Sequence, residues 1–266
     1  MAYFRCIGGG GESGTNILKG TSTPIASQGS NGQVYLKYVP SITSDLEKIT
    51  NNSNDAYIPI GVIGNKYTKF VMKCNIHGGG SFATPIGARL SVSSSNMLLF
   101  FKYNGGNTAY YAVNSGDTQL GDITNFFDTD ITITLSNDLV RVEDENGNYV
   151  EATPSNANDF STQQMMIFNL GTGASSIYGS GTACYMDLYE CKVYVNDNLE
   201  KYLLPKTENG VIGLVDATDG TFYPASGTVS GTARSTPLSF SLIVDAYAKV
   251  SGEWQNLIGT DIDDIS

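Results

Sequence analysis

The chain has 266 residues, of which 41% are hydrophobic and only 15% are charged, and its formal net charge is −11. A surface this acidic repels phosphate and anionic lipid, which argues against a nucleic-acid or membrane-surface partner. Much of the polarity comes from Ser, Thr, Asn and Gly, which favour strands and turns over helix surfaces. No run of about 18 apolar residues is present, so no membrane-spanning helix is predicted.

Residues 1–15 are interpreted as a flexible leader, because residues 8–11 are consecutive glycines without side chains to hold a fold. The segment lacks the apolar core of about 7–15 residues that a signal peptide needs. Two interpretations stay open for the apolar residues before the glycines. They are a disordered start, or a peptide anchor on a partner protein formed by Tyr3, Phe4 and Ile7.

From Gln33 onward the sequence predicts short strands separated by turns. Ile131, Ile133 and Leu135 alternate with threonines, which is the pattern of a half-buried strand. Dipeptides that tolerate positive φ angles mark the hairpins. These are Gly105-Gly106, Asn146-Gly147, Asn196-Asp197 or Asp197-Asn198, Asp219-Gly220 and Ser251-Gly252. Strands punctuated this often predict an all-β sandwich or barrel.

Two segments do not fit this pattern. Residues 41–50 could form one or two helical turns, with Ser44 as the N-cap and Glu47 three residues later. Residues 227–239 are rich in Gly, Ser and Thr and contain one proline, so a linker is predicted there.

The order of these segments predicts a domain insertion. Residues 16–40 and 239–266 each look like half of one small β module, and they flank a β-rich block at 45–232. A domain can be inserted into a host loop when its own termini lie close together, as they do in a jelly-roll sandwich. Trp254, the only tryptophan, is expected in the core of the small module.

The stretch ENGVIGLVDATDGTFYPASGTVSG, residues 208–231, resembles the closing segment of concanavalin A-like, or LamG-like, domains of bacteriophage tail and adhesin proteins. Residues 54–76, 165–173 and 185–205 also fit that family's strands. The resemblance covers 45–232 and implies an all-β, concanavalin A-like (LamG-like) jelly-roll sandwich. Residues 20–38 with 245–259 resemble a short module of phage fibre proteins whose two halves are normally adjacent. Together these resemblances imply a sandwich inserted in a small split β-hairpin module.

Catalytic patterns are missing from the sequence. Sandwich hydrolases of this class carry a Glu-x-Asp-x-x-Glu strand, and no such strand is present. Glu143, Asp144 and Glu145 run into a hairpin turn, where carboxylates are usually solvated. His77 is the only histidine, and no Gly-x-Ser-x-Gly elbow accompanies the lipase-like IHGGG stretch. We therefore expect a binding protein with no catalytic residues.

Candidate binding residues are tyrosines and loop aspartates. Tyr103, Tyr110, Tyr111 and Tyr178 border Gly-rich turns and could serve as platforms for sugar rings, although tyrosines in strands also pack half-buried. No cofactor is required by the sequence, but some members of the resembled class bind calcium. Candidate oxygen ligands are Asp128, Asp130, Asp216 and Asp219, although turn aspartates often stabilise their own turn.

The four cysteines, Cys6, Cys74, Cys184 and Cys191, form no C-x-x-C pair, so a zinc ribbon is not predicted. Cys184 and Cys191 fall in strand-like segments, where a free cysteine packs as a small hydrophobe. A disulfide is the alternative.

These observations lead to the hypothesis of a bacteriophage virion structural protein. Its sandwich would project from the particle for adhesion to host cell-surface polysaccharide, or as a decoration of tail, fibre or capsid. The implied partners are other virion proteins and copies of the chain itself, as a homotrimer. The protein would be made in the host cytoplasm and released by lysis. A bacterial surface adhesin and a carbohydrate-active enzyme are the alternatives.

Overall fold

The computed structural model describes residues 27–29, 32–38, 42–173, 176–240, 243–250 and 253–256. These residues form strands and two single-turn 3-10 helices, so the predicted all-β class is confirmed. No helix among them is long and apolar enough to cross a membrane. The predicted leader, with Tyr3, Phe4 and Ile7, lies outside the described residues.

The strands are, in chain order, β1 (Ser27–Gly29), β2 (Gly32–Tyr38), β3 (Ile42–Asn51), β4 (Ile58–Ile63), β5 (Thr68–Gly79), β6 (Ile86–Arg89), β7 (Asn96–Phe100), β8 (Thr108–Val113), β9 (Thr118–Asp122), β10 (Asp130–Ser136), β11 (Val140–Asp144), β12 (Tyr149–Ala152), β13 (Gln164–Ile167), β14 (Cys184–Val195), β15 (Asn198–Glu208), β16 (Val211–Asp216), β17 (Phe222–Pro224), β18 (Val229–Phe240), β19 (Ile243–Val250) and β20 (Glu253–Asn256). The 3-10 helices are Thr124–Phe126 and Ser180–Thr182.

The chain divides into two compact units, Met1–Ile42 with Ser239–Ser266, and Thr43–Leu238. In the smaller unit, the described strands form a sheet in the order β1-β2-β19-β20. Strand β2 from near the start of the chain pairs antiparallel with β19 from near its end, with Tyr35 opposite Tyr247. The side chain of Trp254 lies outside the described part of the structure, so its predicted core role stays a prediction.

The larger unit is a sandwich of two antiparallel sheets. Eight strands of the ten-stranded sheet follow the order β12-β11-β10-β5-β14-β15-β16-β17. The other two are β3, which pairs with β14, and β18, which pairs with β3. The six-stranded sheet runs β4-β13-β6-β7-β8-β9. One core fills the space between the sheets and includes Phe70 and Met72 from the first sheet and Met97 and Leu99 from the second. Burial of alternate residues from both inner faces is the general way in which a sandwich is stabilised.

Glycines bring the edges of the two sheets together. A Cβ on Gly121 of β9 would lie 2.8 Å from Val150 Cγ1 of β12. On the other side, a Cβ on Gly61 of β4 would lie 3.1 Å from the Tyr223 ring of β17. A larger residue at Gly121 would force Val150 to move, and Gly61 also has a φ angle of 69°, which favours glycine.

The segment expected to form helical turns at 41–50 is instead strand β3, so that prediction was wrong. Ile42, Ser44 and Leu46 are buried with exposed or half-buried residues between them, which is strand periodicity. The Ser44 hydroxyl does not cap a helix but donates to the Pro205 carbonyl oxygen at 2.6 Å. Long-range pairing with β14 and β18 overrides the local capping pattern.

The predicted linker at 227–239 is also corrected, since it coincides with strand β18, which pairs with β3. Its Gly231 lies where a Cβ would approach Leu46 to 2.7 Å. A Ser- and Thr-rich composition therefore marks an exposed strand here and not a flexible connection.

Most predicted turns lie where the dipeptides indicated. Asn146-Gly147 joins β11 to β12, and Asn196-Asp197 joins β14 to β15 with φ angles of 50° and 62°. The turn before β8 is shifted by one residue to Asn104-Gly105, with φ angles of 52° and 80°. A further turn at Asn209-Gly210, which was not predicted, joins β15 to β16. The dipeptide Ser251-Gly252 lies outside the described residues.

We expect Ile133→Ala to lower the free energy of unfolding by about 2–5 kcal/mol, because this side chain is fully buried between the sheets. The neighbouring change Thr132→Ala, on the opposite side of β10, should cost about 0.5 kcal/mol or less. Urea denaturation of the full chain measures both. Equal losses for the two variants would contradict the assigned faces of the strand.

Candidate functional site

A second apolar cluster lies on the outer side of the six-stranded sheet. Met97 and Leu99 of β7 enter the main core, so Leu98 and Phe100 point to the opposite face. There they are buried together with Ala112 and Leu170. The partly buried rings packed against this cluster are Phe82, Tyr103 and Tyr110. An aromatic layer on the outside of a sheet is a feature that core formation alone does not require.

Tyr103 and Tyr110 are stacked in this layer, with ring centroids 4.0 Å apart and an interplanar angle of 24°. Phe82 meets Tyr103 edge-on, at 5.2 Å and 90°. Tyr103 precedes the Asn104-Gly105 turn, and the Gly105 N–H donates to the Ser81 carbonyl oxygen at 2.9 Å. This hydrogen bond fixes the turn next to Tyr103. The stacked tyrosine rings are therefore held in place by the turn and by the contact with Phe82.

An ion pair between the buried Arg89 and the partly buried Asp117 lies beside the stacked rings. Arg89, the last residue of β6, is 7% exposed, and its Nη2 donates to Asp117 Oδ1. The Tyr103 hydroxyl donates to Asp117 Oδ2 at 3.2 Å. The Arg89 guanidinium carbon lies 5.2 Å from the centroid of the Phe100 ring, in a cation–π contact. The Arg89 Nε is buried without a hydrogen-bond partner.

The ionisation of Tyr103 reflects this setting. Burial raises the pKa of its hydroxyl, and the neighbouring Asp117 carboxylate raises the pKa further. The hydroxyl therefore stays protonated and serves as a hydrogen-bond donor to Asp117. We call the set Arg89, Phe100, Tyr103, Tyr110 and Asp117 the aromatic-arginine site.

Three of the four predicted tyrosines lie on this side of the sheet. Tyr103 and Tyr110 form the stack, and Tyr178 is 61% exposed on a segment whose backbone N–H donates to Leu170 of the cluster. Tyr111 is 8% exposed and packs in the main core, because it alternates with Tyr110 along β8. Its ring is not accessible as a platform in this arrangement. Sequence reasoning did not find Arg89, at the end of β6, or Asp117, between β8 and β9, whose only signal was their opposite charge.

The aspartates considered for calcium have protein partners instead. Asp216 is fully buried, and its carboxylate accepts from the Tyr202 N–H, from Thr218 and, at 3.3 Å, from the Lys201 ammonium. Asp219 accepts from the Thr221 N–H at 2.8 Å, which stabilises its own turn. The Lys201 ammonium at the Asp216 carboxylate would compete with a bound cation there. Calcium binding by Asp216 and Asp219 stays a prediction. Across the described residues, no three His, Cys, Asp or Glu side chains converge as a metal site requires.

Asp128 and Asp130 belong to a hydrogen-bonded network on the outer face of the ten-stranded sheet. Asp128 Oδ1 lies 2.9 Å from His77 Nδ1, and Asp130 Oδ1 accepts from Asn75 and from the Tyr189 hydroxyl, both at 2.9 Å. His77 Nε2 lies 3.4 Å from Asp187. This network therefore connects the only histidine to two carboxylates.

Three cysteines are free and buried in the core, namely Cys74, Cys184 and Cys191. Burial away from water raises the pKa of all three thiols, that of Cys191 to about 12. The thiols therefore stay protonated and behave as small hydrophobes. Cys6 lies outside the described residues.

Comparison with known proteins gives no family assignment. No family model and no curated protein matches the chain. Among solved structures, one similar chain is a Bacteroides ovatus protein described as a "putative carbohydrate binding protein". It is 14% identical to this chain, covers 73% of it and superposes with a TM-score of 0.48. The match spans 62% of that protein's length, and a likeness of this size carries no functional argument.

We expect Asp117→Ala to lower the free energy of unfolding by about 3–5 kcal/mol, because it leaves the Arg89 charge buried and unpaired. Glu151→Ala, which removes a carboxylate from the more exposed Arg141, should cost about 1 kcal/mol or less. Chemical denaturation of both variants provides the comparison. A loss for Asp117→Ala no larger than that for Glu151→Ala would show that the Arg89 pair is solvated.

The pH dependence of stability should contain a contribution from Asp187. Burial alone would raise the pKa of this carboxyl, but hydrogen bonds from Lys48 and Thr50 outweigh it and hold the pKa below the usual 3.8. A lowered pKa in the folded state stabilises the protein above the unfolded-state pKa, and the contribution is lost as the pH falls through the folded-state pKa. The difference in unfolding free energy between wild type and Asp187→Asn should shrink as the pH falls below about 4. A difference that is constant down to about pH 2 would contradict this assignment.

Proposed function

We propose that this protein binds carbohydrate through the aromatic-arginine site. The observation that carries the proposal is the stacked pair of Tyr103 and Tyr110 beside the buried Arg89–Asp117 pair. Sugar rings combine apolar C–H faces with hydroxyl groups. Binding sites for such ligands combine aromatic surface with a few fixed polar groups that set orientation.

The polar groups are well placed to fix a sugar hydroxyl. Asp117 holds Arg89 and Tyr103 in one hydrogen-bonded set, so little side-chain entropy is lost when a ligand binds. Tyr178, exposed on a neighbouring segment, adds apolar surface next to the cluster. The expected ligand therefore packs a ring against the tyrosines and directs a hydroxyl toward the Asp117 carboxylate, which the buried Arg89 holds in place.

The proposed role is binding without turnover. Of the carboxylates considered for catalysis, Asp144 is used by its turn, since it accepts from the Asn146 and Asn148 N–H groups at 2.9 Å each. Hydrogen bonding, first of all from the Asn148 side chain, lowers the pKa of Asp144, so this carboxyl is a poor proton donor at neutral pH.

We further propose that the protein is a structural component of a bacteriophage particle, with a LamG-like sandwich inserted in a small split fibre module. The proposal rests on the resemblance of residues 208–231 and of the two flanks, and pairing of β2 with β19 is in keeping with it. The small module would attach to other virion proteins as a homotrimer. The sandwich would contact host polysaccharide at the virion surface, or decorate the particle. Mass spectrometry of purified particles tests this role, and absence of the protein from them would refute it.

We expect the full chain to be retained on at least one member of a panel of immobilised bacterial surface polysaccharides. The affinity of the double variant Tyr103→Ala/Tyr110→Ala should be lower by a factor of about ten or more, because this variant loses the stacked platform. Tyr178→Ala should also weaken binding, and with 61% of the residue exposed the fold should not change.

The matched control is Tyr149→Ala, which removes an exposed ring from β12 of the other sheet, where it packs against Arg141. Its binding should equal that of wild type. Equal weakening by all of these variants, or no retention of wild type on any polysaccharide, would refute the site. Release of reducing ends from the bound polysaccharide would refute binding without turnover.

A further inference from the structure

The outer face of the ten-stranded sheet carries a row of polar side chains in register. Asp130 of β10 lies opposite Asn75 of β5, Asn75 lies opposite Asp187 of β14, and Asp187 lies opposite Thr50 of β3. We call these four residues the polar row. It crosses four adjacent strands near the middle of the sheet.

The outward direction of the row follows from burial of the neighbouring residues. Each member of the row has a neighbour in sequence that lies in the core between the sheets. These neighbours are Ile131, Cys74, Leu188 and Ile49. Since successive side chains of a strand point to opposite faces, the polar row must point away from the core. Asp187 is nevertheless only 5% exposed, because its neighbours on the outer face cover it.

The groups around the row are fixed by hydrogen bonds. Asp187 accepts from the Lys48 ammonium at 2.6 Å and from the Thr50 hydroxyl at 2.5 Å. Asp130 accepts from the Asn75 amide and from the Tyr189 hydroxyl. Side chains held in this way are preorganised, so a ligand does not have to order them.

Tyr189 reaches the row through a β-bulge. The register between β14 and β5 shifts between Leu188 and Glu190, which leaves Tyr189 as the extra residue. Bulges occur next to functional sites because they redirect a side chain. Here the bulge places an aromatic ring beside the carboxylate of Asp130. Tyr185, on the same strand, donates its hydroxyl to Asn54 at 2.7 Å and adds a second ring.

The row has more acceptors than donors. The Asn75 Oδ1 is buried without a hydrogen-bond partner, and an ionised carboxylate has about four acceptor positions. Three carboxylates, from Asp128, Asp130 and Asp187, lie here with one ammonium group, from Lys48. A ligand that supplies hydroxyl donors fits this surface, whereas an anionic ligand is repelled.

We infer that the polar row with Tyr185 and Tyr189 is a second carbohydrate-binding surface, which selects neutral, hydroxyl-rich glycans over glycans that contain uronic acid. The inference rests on the proposed carbohydrate-binding function. It adds a site on the opposite sheet and names the ligand class. Sugar hydroxyls donate to the exposed Asp130 carboxylate, and the two tyrosine rings contact the C–H face of the sugar.

The experiment is calorimetric titration of the full chain with two probes. One is a neutral hexasaccharide prepared from a polysaccharide that retains wild type, and the other is a hexasaccharide of the same linkage containing uronic acid. Wild type should bind the neutral probe at two sites per chain. Tyr103→Ala/Tyr110→Ala should keep one of them. Adding Asp130→Asn to that double variant should weaken the remaining site about tenfold, because an acceptor of sugar hydroxyls becomes partly a donor.

Tyr189→Phe tests the bulge, and Tyr194→Phe is its matched control on the same strand and face, where the ring lies 5.0 Å from the Lys69 ammonium. Tyr189→Phe should weaken the second site several-fold and Tyr194→Phe should not. If wild type binds one hexasaccharide per chain and Tyr103→Ala/Tyr110→Ala binds none, the second surface is overturned and the proposed function is left intact. Tighter binding of the probe containing uronic acid at the second site would overturn the ligand class. Failure of wild type to bind any polysaccharide would refute both proposals.

Discussion

The two-residue alternation of β5 and β14 is the constraint on which the larger unit depends. These strands pair along almost their whole lengths, and outside the bulge at Tyr189 each sends alternate side chains into one core. Phe70, Met72, Cys74 and Ile76 on β5 are fully buried, and a shift of one residue would bring their neighbours, among them Lys73 and Asn75, into the core in their place. The register is therefore strongly specified, and with it the position of every polar group on the outer face.

The same constraint gives the two outer faces different chemistry. On the six-stranded sheet, β7 and β8 are apolar on both sides, so a second layer of loops and rings must cover Leu98 and Phe100. On the ten-stranded sheet, the outward residues of β5, β10 and β14 are mostly polar and hydrogen-bond to one another. One face thus offers aromatic surface with a single charged pair, and the other offers carboxylates and amides. A sandwich can present both because its strands need only one buried side.

Local signals in the sequence account for much of this fold. Asn146-Gly147 and Asn196-Asp197 identify their hairpins because positive φ angles restrict residue choice, and Ile131, Ile133 and Leu135 identify the inner face of β10. The strands β3 and β18 were missed because long-range pairing stabilises them and their own composition does not. Tyr103 and Tyr110 were predicted as binding residues from their place beside a turn. Tyr111 was predicted with them, although it alternates with Tyr110 along β8 and therefore points to the opposite face. Arg89 and Asp117 are 28 residues apart in the chain. They come together only because β6, β7, β8 and β9 pair one after another in the sheet.

The buried thiols have a consequence for the oxidation state of the protein. Cys74, Cys184 and Cys191 are shielded from water, and their raised pKa values keep the reactive thiolate form scarce. Glutathione, peroxides and other thiols therefore meet little reactive sulfur on this sandwich. The sandwich should keep the same covalent structure in reducing and in oxidising surroundings, so its stability needs neither a disulfide nor protection from forming a wrong one.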